Sequence, residues 1–265
     1  AEVAPAFVGQ FGGKGNVDKL RQAFKELGFS GMEEVALGAD LCTVQEAEDF
    51  LEEVPEKIPF MGTSCCPAWS VMAKKEFPEH ADCISMALTP MTLTARLIRK
   101  QRPNAKIVFV GPCSAKKLEA MRRSVRSEVD FVLTFEEMMG MMKARGIEEY
   151  NKLEGEGASD FEVASADGRG FAVAGGVATA VVNAIHRRYP DREVNVVNAE
   201  GLDECRKMMK MAVKGKYPGY LLEGMACPGG CVAGAGTLQA INKTAAAVKR
   251  YAKKSPRKNA TENAY

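Results

Sequence analysis

Along the chain, apolar residues alternate between short continuous runs and longer stretches of helical period. Glu2-Val3-Ala4-Pro5-Ala6-Phe7-Val8 reads as a short apolar strand or strand end, and 17–27 as a helix with Leu20, Phe24 and Leu27 on one face. Glu33 to Leu37 gives a second strand. Thr43 is a good N-cap for a helix running to about Glu53, and Glu46 three residues on would complete a capping box. Pro59-Phe60-Met61 leads into the loop Gly62-Thr63-Ser64-Cys65-Cys66-Pro67. A helix from Ala68 to about Phe77 follows, and another runs from Pro90 to Lys100. Lys106-Ile107-Val108-Phe109-Val110, before Gly111-Pro112, has the apolar character of a buried parallel strand that delivers a loop, here holding Cys113, at its C-terminal end. Val129 to Leu133 is a further strand, Phe135 to Lys143 a helix, and Gly146 to Arg169 a polar, Gly- and acid-rich connection. Helix Gly176 to Arg187, strand Glu193 to Val197, helix Asp203 to Val213, strand Tyr220 to Glu223 and a helix from Leu238 to about Lys253 complete the series. The polar tail, Ser255 to Tyr265, is expected to fray.

Strands and helices alternate throughout without an internal repeat, which predicts an α/β fold with largely parallel sheets. With 265 residues, 46% of them hydrophobic and 26% charged, the chain can bury a core as one or two domains, and disordered, collagen-like and coiled-coil classes are excluded. Lys+Arg 36 against Asp+Glu 34 leaves a net charge of +2, no electrostatic footprint for a nucleic-acid binder. The most apolar stretch, Gly170 to Ile185, is interrupted by Gly175-Gly176 and falls short of the roughly 20 residues a membrane span needs. The chain opens at Ala1 with no charged-then-apolar leader, which fits a trimmed or excised domain without a secretory signal.

Eight cysteines are too few for a disulfide scaffold, but their grouping is informative. Cys65 and Cys66 are adjacent, Cys113 stands alone, and Cys227 and Cys231 are spaced C-x3-C, each group in a Gly/Pro context suited to a loop. Adjacent cysteines rarely bridge each other, and a cytoplasmic chain keeps its thiols reduced, so metal or redox chemistry leads. Structural zinc takes two close pairs of ligands, and only one such pair exists here. A cluster held by loops far apart in sequence fits better, thiolates being the usual ligands of iron–sulfur clusters. Cys42, Cys83 and Cys205 lie in ordinary element-like sequence and read as buried apolar thiols. Met138-Met139 and Met141-Met142 read as packing, and His80 and His186 as surface residues. Gly13-x-Gly15 and Gly229-Gly230 are no dinucleotide fingerprint.

Three stretches occur together: Thr63-Ser64-Cys65-Cys66-Pro67, Pro112-Cys113-Ser114-Ala115-Lys116-Lys117-Leu118-Glu119, and Glu223-Gly224-Met225-Ala226-Cys227-Pro228-Gly229-Gly230-Cys231. In them the sequence resembles the FeFe-hydrogenases, whose motifs TSCCP, PCxxKxxE and ExMACxxGC define the domain holding the H-cluster. The resemblance spans Ala4-Pro5 to Gly236. It implies one H-cluster domain over 1–265, with approximate lobes 1–105 and 106–240, a C-terminal helix and tail 241–265, and the metal site between two lobes of mainly parallel twisted sheets flanked by helices.

Carried over residue by residue, the resemblance implies that Cys66, Cys113, Cys227 and Cys231 bind a four-iron four-sulfur (4Fe-4S) cluster and that Cys231 bridges to a diiron subsite. Carbon monoxide, cyanide (CO and CN) and an azadithiolate bridge complete that subsite in the family. Lys116 is the expected partner of one cyanide, since cyanide nitrogens in a dry pocket need donors or a cation. Backbone at Ala4, Pro5 and Ala6 would face the other side, with Met225, Pro67, Pro90 and Phe171 closing the pocket, and Glu119 would pair or orient around the cluster loops. Heterolytic splitting of hydrogen leaves a proton to be carried out of a water-poor site. Cys65 can act as donor and acceptor, and by resemblance passes the proton toward Glu46, Ser85 and Asp49. Glu46 and Asp49 stand i,i+3 on one helix face, as consecutive relay stations require.

Several positions depart from the family's fast enzymes. Asp49 stands where Glu is more frequent, Gly111 replaces a Met before Pro-Cys, Met91 a Gln, Ala6 a Ser, and Gly234-Ala235-Gly236-Thr237-Leu238 the stretch GGGQP. Reversible oxidation of H2 to protons and electrons is the expected activity, with a ferredoxin-type electron carrier and maturation proteins for the diiron unit as partners. A hydrogen sensor with the same cofactor and slow turnover, and a non-catalytic iron–sulfur assembly relative, are the alternatives. Relatives of the latter kind generally lack the doubled cysteine of the first motif.

Overall fold

The computed structural model describes residues 1–11, 16–147 and 149–263. Gly13-x-Gly15, read above as no fingerprint, lies outside them. Four strands, β1 (Glu2–Val3), β2 (Glu33–Glu34), β4 (Val108–Gly111) and β5 (Phe131–Thr134), form one sheet in the order β2-β1-β4-β5. Three more, β3 (Met61–Gly62), β6 (Asn195–Glu200) and β7 (Tyr220–Met225), form a second in the order β3-β7-β6. Every pairing is parallel. The chain is therefore α/β with parallel sheets flanked by helices. Each sheet draws strands from both sides of residue 105, so the chain crosses between sheets more than once and the two sheets do not follow the ranges 1–105 and 106–240.

The helices are α1 (Val17–Glu26), α2 (Ala36–Glu53), α3 (Pro67–Glu76), α4 (Pro90–Gln101), α5 (Ala115–Ala120), α6 (Phe135–Ala144), α7 (Ala166–Gly170), α8 (Gly176–Arg188), α9 (Leu202–Ala212) and α10 (Ile241–Lys253). The second sheet is covered on both faces, which is why its central strand β7 is apolar and buried. Trp69 of α3 and Met208 and Met209 of α9 pack with Leu222, while Phe50 of α2 and Val181 and Ile185 of α8 pack with Leu221. Under the first sheet lies the largest core, with Phe7, Phe24, Phe109 and Phe135 and, from α6, Met138 and Met142.

Three local expectations are corrected. The strand expected over 33–37 stops at Glu34, and α2 already begins at Ala36, so Thr43 is seven residues inside the helix and no cap. Its hydroxyl donates to Ala39 O, 2.8 Å away, satisfying itself within the helix instead of opening it. Over its described residues, 255–263, the tail is docked, not frayed: Ser255 Oγ donates to Ala164 O at 2.7 Å, Asn263 Nδ2 donates to the buried Asp40 of α2, and Ala260 and Asn263 are buried. Burial, opposed by hydrogen bonds from Ser165 and Asn263, pushes the Asp40 carboxyl up to about 6. His80 is only half-buried but stacks its ring on Phe60, 6.4 Å between centroids.

Helix α2 carries the chain from β2 of the first sheet to β3 of the second, over roughly 27 Å at 1.5 Å per residue. Its close packing on α4 depends on Gly38, where a Cβ would fall 2.2 Å from Pro90 O and 2.4 Å from Thr94 Oγ1. Gly38→Ala is expected to destabilise the chain by about 1–3 kcal/mol in urea unfolding, because backbone overlap outweighs alanine's better helix propensity. No helix among the described residues is long and apolar enough to cross a membrane.

Candidate metal centre

The C-terminal ends of strands from both sheets open toward one place. β4 ends at Gly111 and its loop holds Cys113. β7 ends at Met225 and leads to Cys227 and Cys231, and β3 leads through Thr63 to Cys65 and Cys66. Tight glycine contacts fasten these loops together. A Cβ at Gly224 would lie 2.2 Å from the Trp69 ring, so β7 is pressed on α3, whose N-cap is Cys66. Gly230, at φ +86°, would meet Ala174 N at 2.5 Å, and Gly234 would meet Pro112 O at 2.4 Å. Gly236 N donates to the same Pro112 O at 2.8 Å, and Glu200 accepts from Gly229 N at 2.6 Å.

Cys66, Cys113, Cys227 and Cys231 are half-buried, and Cys113 lies near enough to act on the ionisation of the other three. Burial pushes the Cys66, Cys227 and Cys231 thiols up, and neighbouring sulfurs add to the shift. Backbone N–H groups of Ala226 and Trp69 point at the Cys66 sulfur and favour its thiolate, as the N-terminus of α3 does. Cys42, Cys83 and Cys205 are buried, as expected of packing thiols, and Cys205 is pushed up to about 12 chiefly by burial. Among the described residues no three of His, Cys, Asp and Glu stand close enough to hold a single metal ion.

An apolar cavity adjoins these thiols, walled by Ala4, Pro5, Pro90, Met91, Phe171 and Cys65 and reaching Cys113, Cys231 and Lys116. Of the residues expected to close the pocket, Ala4, Pro5, Pro90 and Phe171 line it. Met225 instead joins Phe171 in a small buried cluster against which Cys65 and Cys66 pack, Pro67 forms the first turn of α3 after Cys66, and Ala6 is buried in the core. Lys116 reaches inward, its Nζ 3.3 Å from Cys65 O and 2.7 Å from Glu119 Oε2. Glu119 is 3% exposed and also accepts from Thr89 Oγ1. Burial alone would lower the lysine's pKa, but the Glu119 carboxylate, with Cys65 and Cys231 nearby, holds it above the usual value.

Next to the cavity, Glu46 lies near enough to Cys65 to act on its ionisation. Burial pushes the Cys65 thiol well above its usual range, with Glu46, Cys42, Cys66 and Cys231 adding to it. Glu46 is fully buried and accepts from Ser64 N at 2.8 Å and Ser64 Oγ at 3.1 Å. Burial brings its carboxyl up to about 7 against these bonds. The Ser85 hydroxyl, which accepts from Ala87 N at 3.1 Å, lies near the same carboxyl without a well-formed bond to Glu46 Oε2. Asp49, near enough to push the Glu46 carboxyl up further, is half-buried and accepts from Gln45 Nε2 at 2.8 Å.

Two features were not foreseen. Glu223 is 1% exposed and accepts from Gly175 N and Ala178 N, both at 2.7 Å, so it binds the start of α8 to β7; it stands in the third motif but gave no local sign of this role. Phe109 shares a face of β4 with Gly111, and a Cβ at 111 would fall 2.4 Å from its ring. The aromatic ring thus occupies the space that a side chain before Pro112-Cys113 would take, and it forms part of the cavity wall.

Residues 1–235 match the family "Iron only hydrogenase large subunit, C-terminal domain". The chain belongs to this family. The periplasmic [Fe] hydrogenase large subunit of Nitratidesulfovibrio vulgaris is 27% identical over 85% of this chain and 65% of its own length. The chain spans less than two thirds of the curated hydrogenases it matches. The cytosolic Fe-S cluster assembly factor NAR1 of Debaryomyces hansenii is 31% identical over 44% of this chain and 24% of its own. A variant of the [FeFe]-hydrogenase HydA1 of Chlamydomonas reinhardtii superposes with a TM-score of 0.78 over 99% of this chain and 86% of that one at 24% identity, which establishes a common fold. Iron–sulfur binding goes with the iron-only hydrogenase family at this level.

The packing around Lys116 and Gly111 makes two stability effects measurable in this family member. Glu119→Ala leaves the Lys116 ammonium buried without its partner and is expected to cost about 3–5 kcal/mol in urea unfolding of the unloaded chain, where Lys116→Met/Glu119→Leu costs much less. Gly111→Met is expected to destabilise alone, while adding Phe109→Ala relieves it, giving a coupling energy of about 1 kcal/mol or more in a double-mutant cycle.

Proposed function

We propose that this chain is the H-cluster domain of an iron-only hydrogenase, catalysing the reversible oxidation of H2 to protons and electrons. The observation that carries this reading is the meeting of four cysteines from three loops with a fifth thiol, Cys65, that lies near the buried carboxyl of Glu46. Four thiols suit a four-iron cluster, one per iron. Thiols that raise one another's pKa are also a donor set in want of positive charge, and iron supplies it.

In this reading Cys66, Cys113, Cys227 and Cys231 would hold the four-iron cluster, and Cys231, which reaches the cavity, would also serve a diiron subsite with CO, CN and azadithiolate ligands. When bound, that group supplies the electron storage and the hydrogen-splitting chemistry. Lys116 keeps its charge through Glu119 and offers Nζ as a donor to an anionic ligand such as cyanide. Ala4, Pro5, Pro90, Phe171 and Met91 keep water out, with Ala6, Pro67 and Met225 supporting that wall from behind. Cys65 holds its proton at neutral pH and can donate through Sγ; Glu46, with a pKa near 7, can both take and release it there. Ser85 and Asp49 continue the path outward from Glu46. An assembly relative of the NAR1 kind would have no use for this thiol and carboxyl.

Iron and sulfide analysis of the reconstituted chain is expected to give one four-iron cluster plus one diiron unit, and amounts well above that contradict the reading. Cys65→Ala should leave both in place and lower turnover on the order of 10²-fold or more; activity near the parent level removes Cys65 from the path. Because Glu46 must be protonated to deliver a proton, hydrogen evolution should fall as pH rises through about 7. Uptake needs the carboxylate and should fall as pH drops below about 7. Glu46→Gln should abolish both limbs, and a variant that keeps them assigns the ionisation elsewhere.

A further inference from the structure

Helix α2 brings one more thiol to the site, and the proton path above leaves it unused. Ala39, Cys42 and Glu46 stand at i, i+3 and i+7, so they share one face of the helix. Both ends of that face meet the loop of the first motif. Glu46 Oε1 accepts from Ser64 N at 2.8 Å, while Ala39 belongs to the buried cluster against which Cys65 packs and lines the apolar cavity with it. Cys42 stands between the two and is thereby presented to Cys65. It is fully buried and near enough to raise the pKa of the Cys65 thiol, and it is also close enough to be influenced by Lys116, whose Nζ lies 3.3 Å from Cys65 O.

The other two buried thiols are placed differently. Cys205 Sγ donates to Ala199 O at 3.5 Å and to Met225 O at 3.6 Å, and the sulfur near it is that of Cys66, one of the four proposed ligands. Cys83 sits in the core with Phe60 and Trp69. Of the three, Cys42 is the one that acts on Cys65, the thiol outside the proposed ligand set. Access then sets the order of events. Cys65 lines the cavity, where a small neutral oxidant can reach it, whereas Cys42 is closed to solvent. A buried thiol reacts slowly, but once it has become a sulfenic acid it condenses with a thiol beside it.

We infer that Cys42 and Cys65 form a reversible disulfide under hydrogen peroxide, which takes the Cys65 thiol out of the proton path until a dithiol reduces the bond. The bond needs only these two thiols; its effect on turnover rests on the hydrogenase reading above. In the first step Cys65 Sγ attacks one peroxide oxygen and the O–O bond breaks. A sulfenic acid forms, and the other oxygen leaves as water with the thiol proton. Cys42 Sγ then attacks the sulfenic sulfur, the S–S bond forms, and the hydroxyl leaves as a second water with the Cys42 proton. Each sulfur has lost one electron and each peroxide oxygen has gained one. Without Cys42 the sulfenic acid meets a second peroxide and becomes a sulfinic acid, which thiols do not reverse.

The test treats the full chain with hydrogen peroxide, blocks the remaining thiols, digests the chain and reads the cross-linked peptides by tandem mass spectrometry. The Cys42 peptide should be joined to the peptide that holds Cys65 and Cys66. The link should persist in Cys66→Ser and vanish in Cys65→Ser. Cys42→Ser should instead accumulate Cys65 sulfinic acid, ~5-fold or more above the parent at equal peroxide. Cys42 joined to any other cysteine, or sulfinic acid at Cys65 in parent and Cys42→Ser alike, overturns the proposal. In the loaded chain, at unchanged iron content, turnover lost to peroxide should return with dithiothreitol in the parent and stay lost in Cys42→Ser; equal recovery in both overturns the switch. A loaded parent that carries the link yet shows no hydrogen turnover before treatment overturns the hydrogenase reading and leaves the disulfide standing.

Discussion

Everything in this molecule depends on drawing four thiols, those of Cys66, Cys113, Cys227 and Cys231, into one place from three separate loops. Two parallel sheets solve this by turning the C-terminal ends of their strands toward each other, so that β3 and β7 of one sheet and β4 of the other each end in a cysteine loop. The convergence is steric as much as topological. Gly224 under Trp69, Gly230 against Ala174 and Gly234 against Pro112 leave no room for a side chain, so each loop is held by close contact with the next. A β-carbon at any of them would push a sulfur-bearing loop away from its partners.

Charge placement follows from the same closure. Once the loops seal the site, an ionic side chain inside it needs a fixed partner. Lys116 has Glu119, and Glu119 has Thr89 as well, which also fastens α5 to the start of α4. Glu46 is treated differently: its hydrogen bonds reach one carboxyl oxygen, and burial leaves the group close to neutrality, where a proton is neither lost nor held firmly. One buried acid therefore anchors a charge, and the other is suited to moving a proton. The difference is set by which neighbour each was given.

Much of this was legible in the sequence, for physical reasons. The alternation of apolar runs with helical periods placed most helices within a few residues, and the three cysteine motifs named the thiols that the fold brings together. What was not legible depends on tertiary contact. Strands β1, β2 and β3 have two residues each, too few to show a period. Thr43 looks like a cap because its hydroxyl competes for backbone partners, and only packing of the small residues from Ala36 to Ala39 decides that the helix starts earlier. The tail is polar by composition yet docked through Asn263 on Asp40, 223 positions away. Phe109 was read as a strand residue; its second role, filling the space over Gly111, needs the pleat of β4 and the cavity beside it. Asp49 shows the opposite case: it shares a helix face with Glu46 and acts on its charge, yet its hydrogen bond is with Gln45.

The central claim is that these loops hold a four-iron cluster joined to a diiron unit. The most direct measurement is an infrared spectrum of the anaerobically purified chain, with its four-iron cluster in place, after addition of a diiron dithiolate precursor, in the window where metal-bound carbon monoxide and cyanide absorb. Sharp bands that shift under hydrogen are the predicted result. A chain that demonstrably carries the four-iron cluster yet shows no such bands would contradict the account and leave a protein of the assembly type.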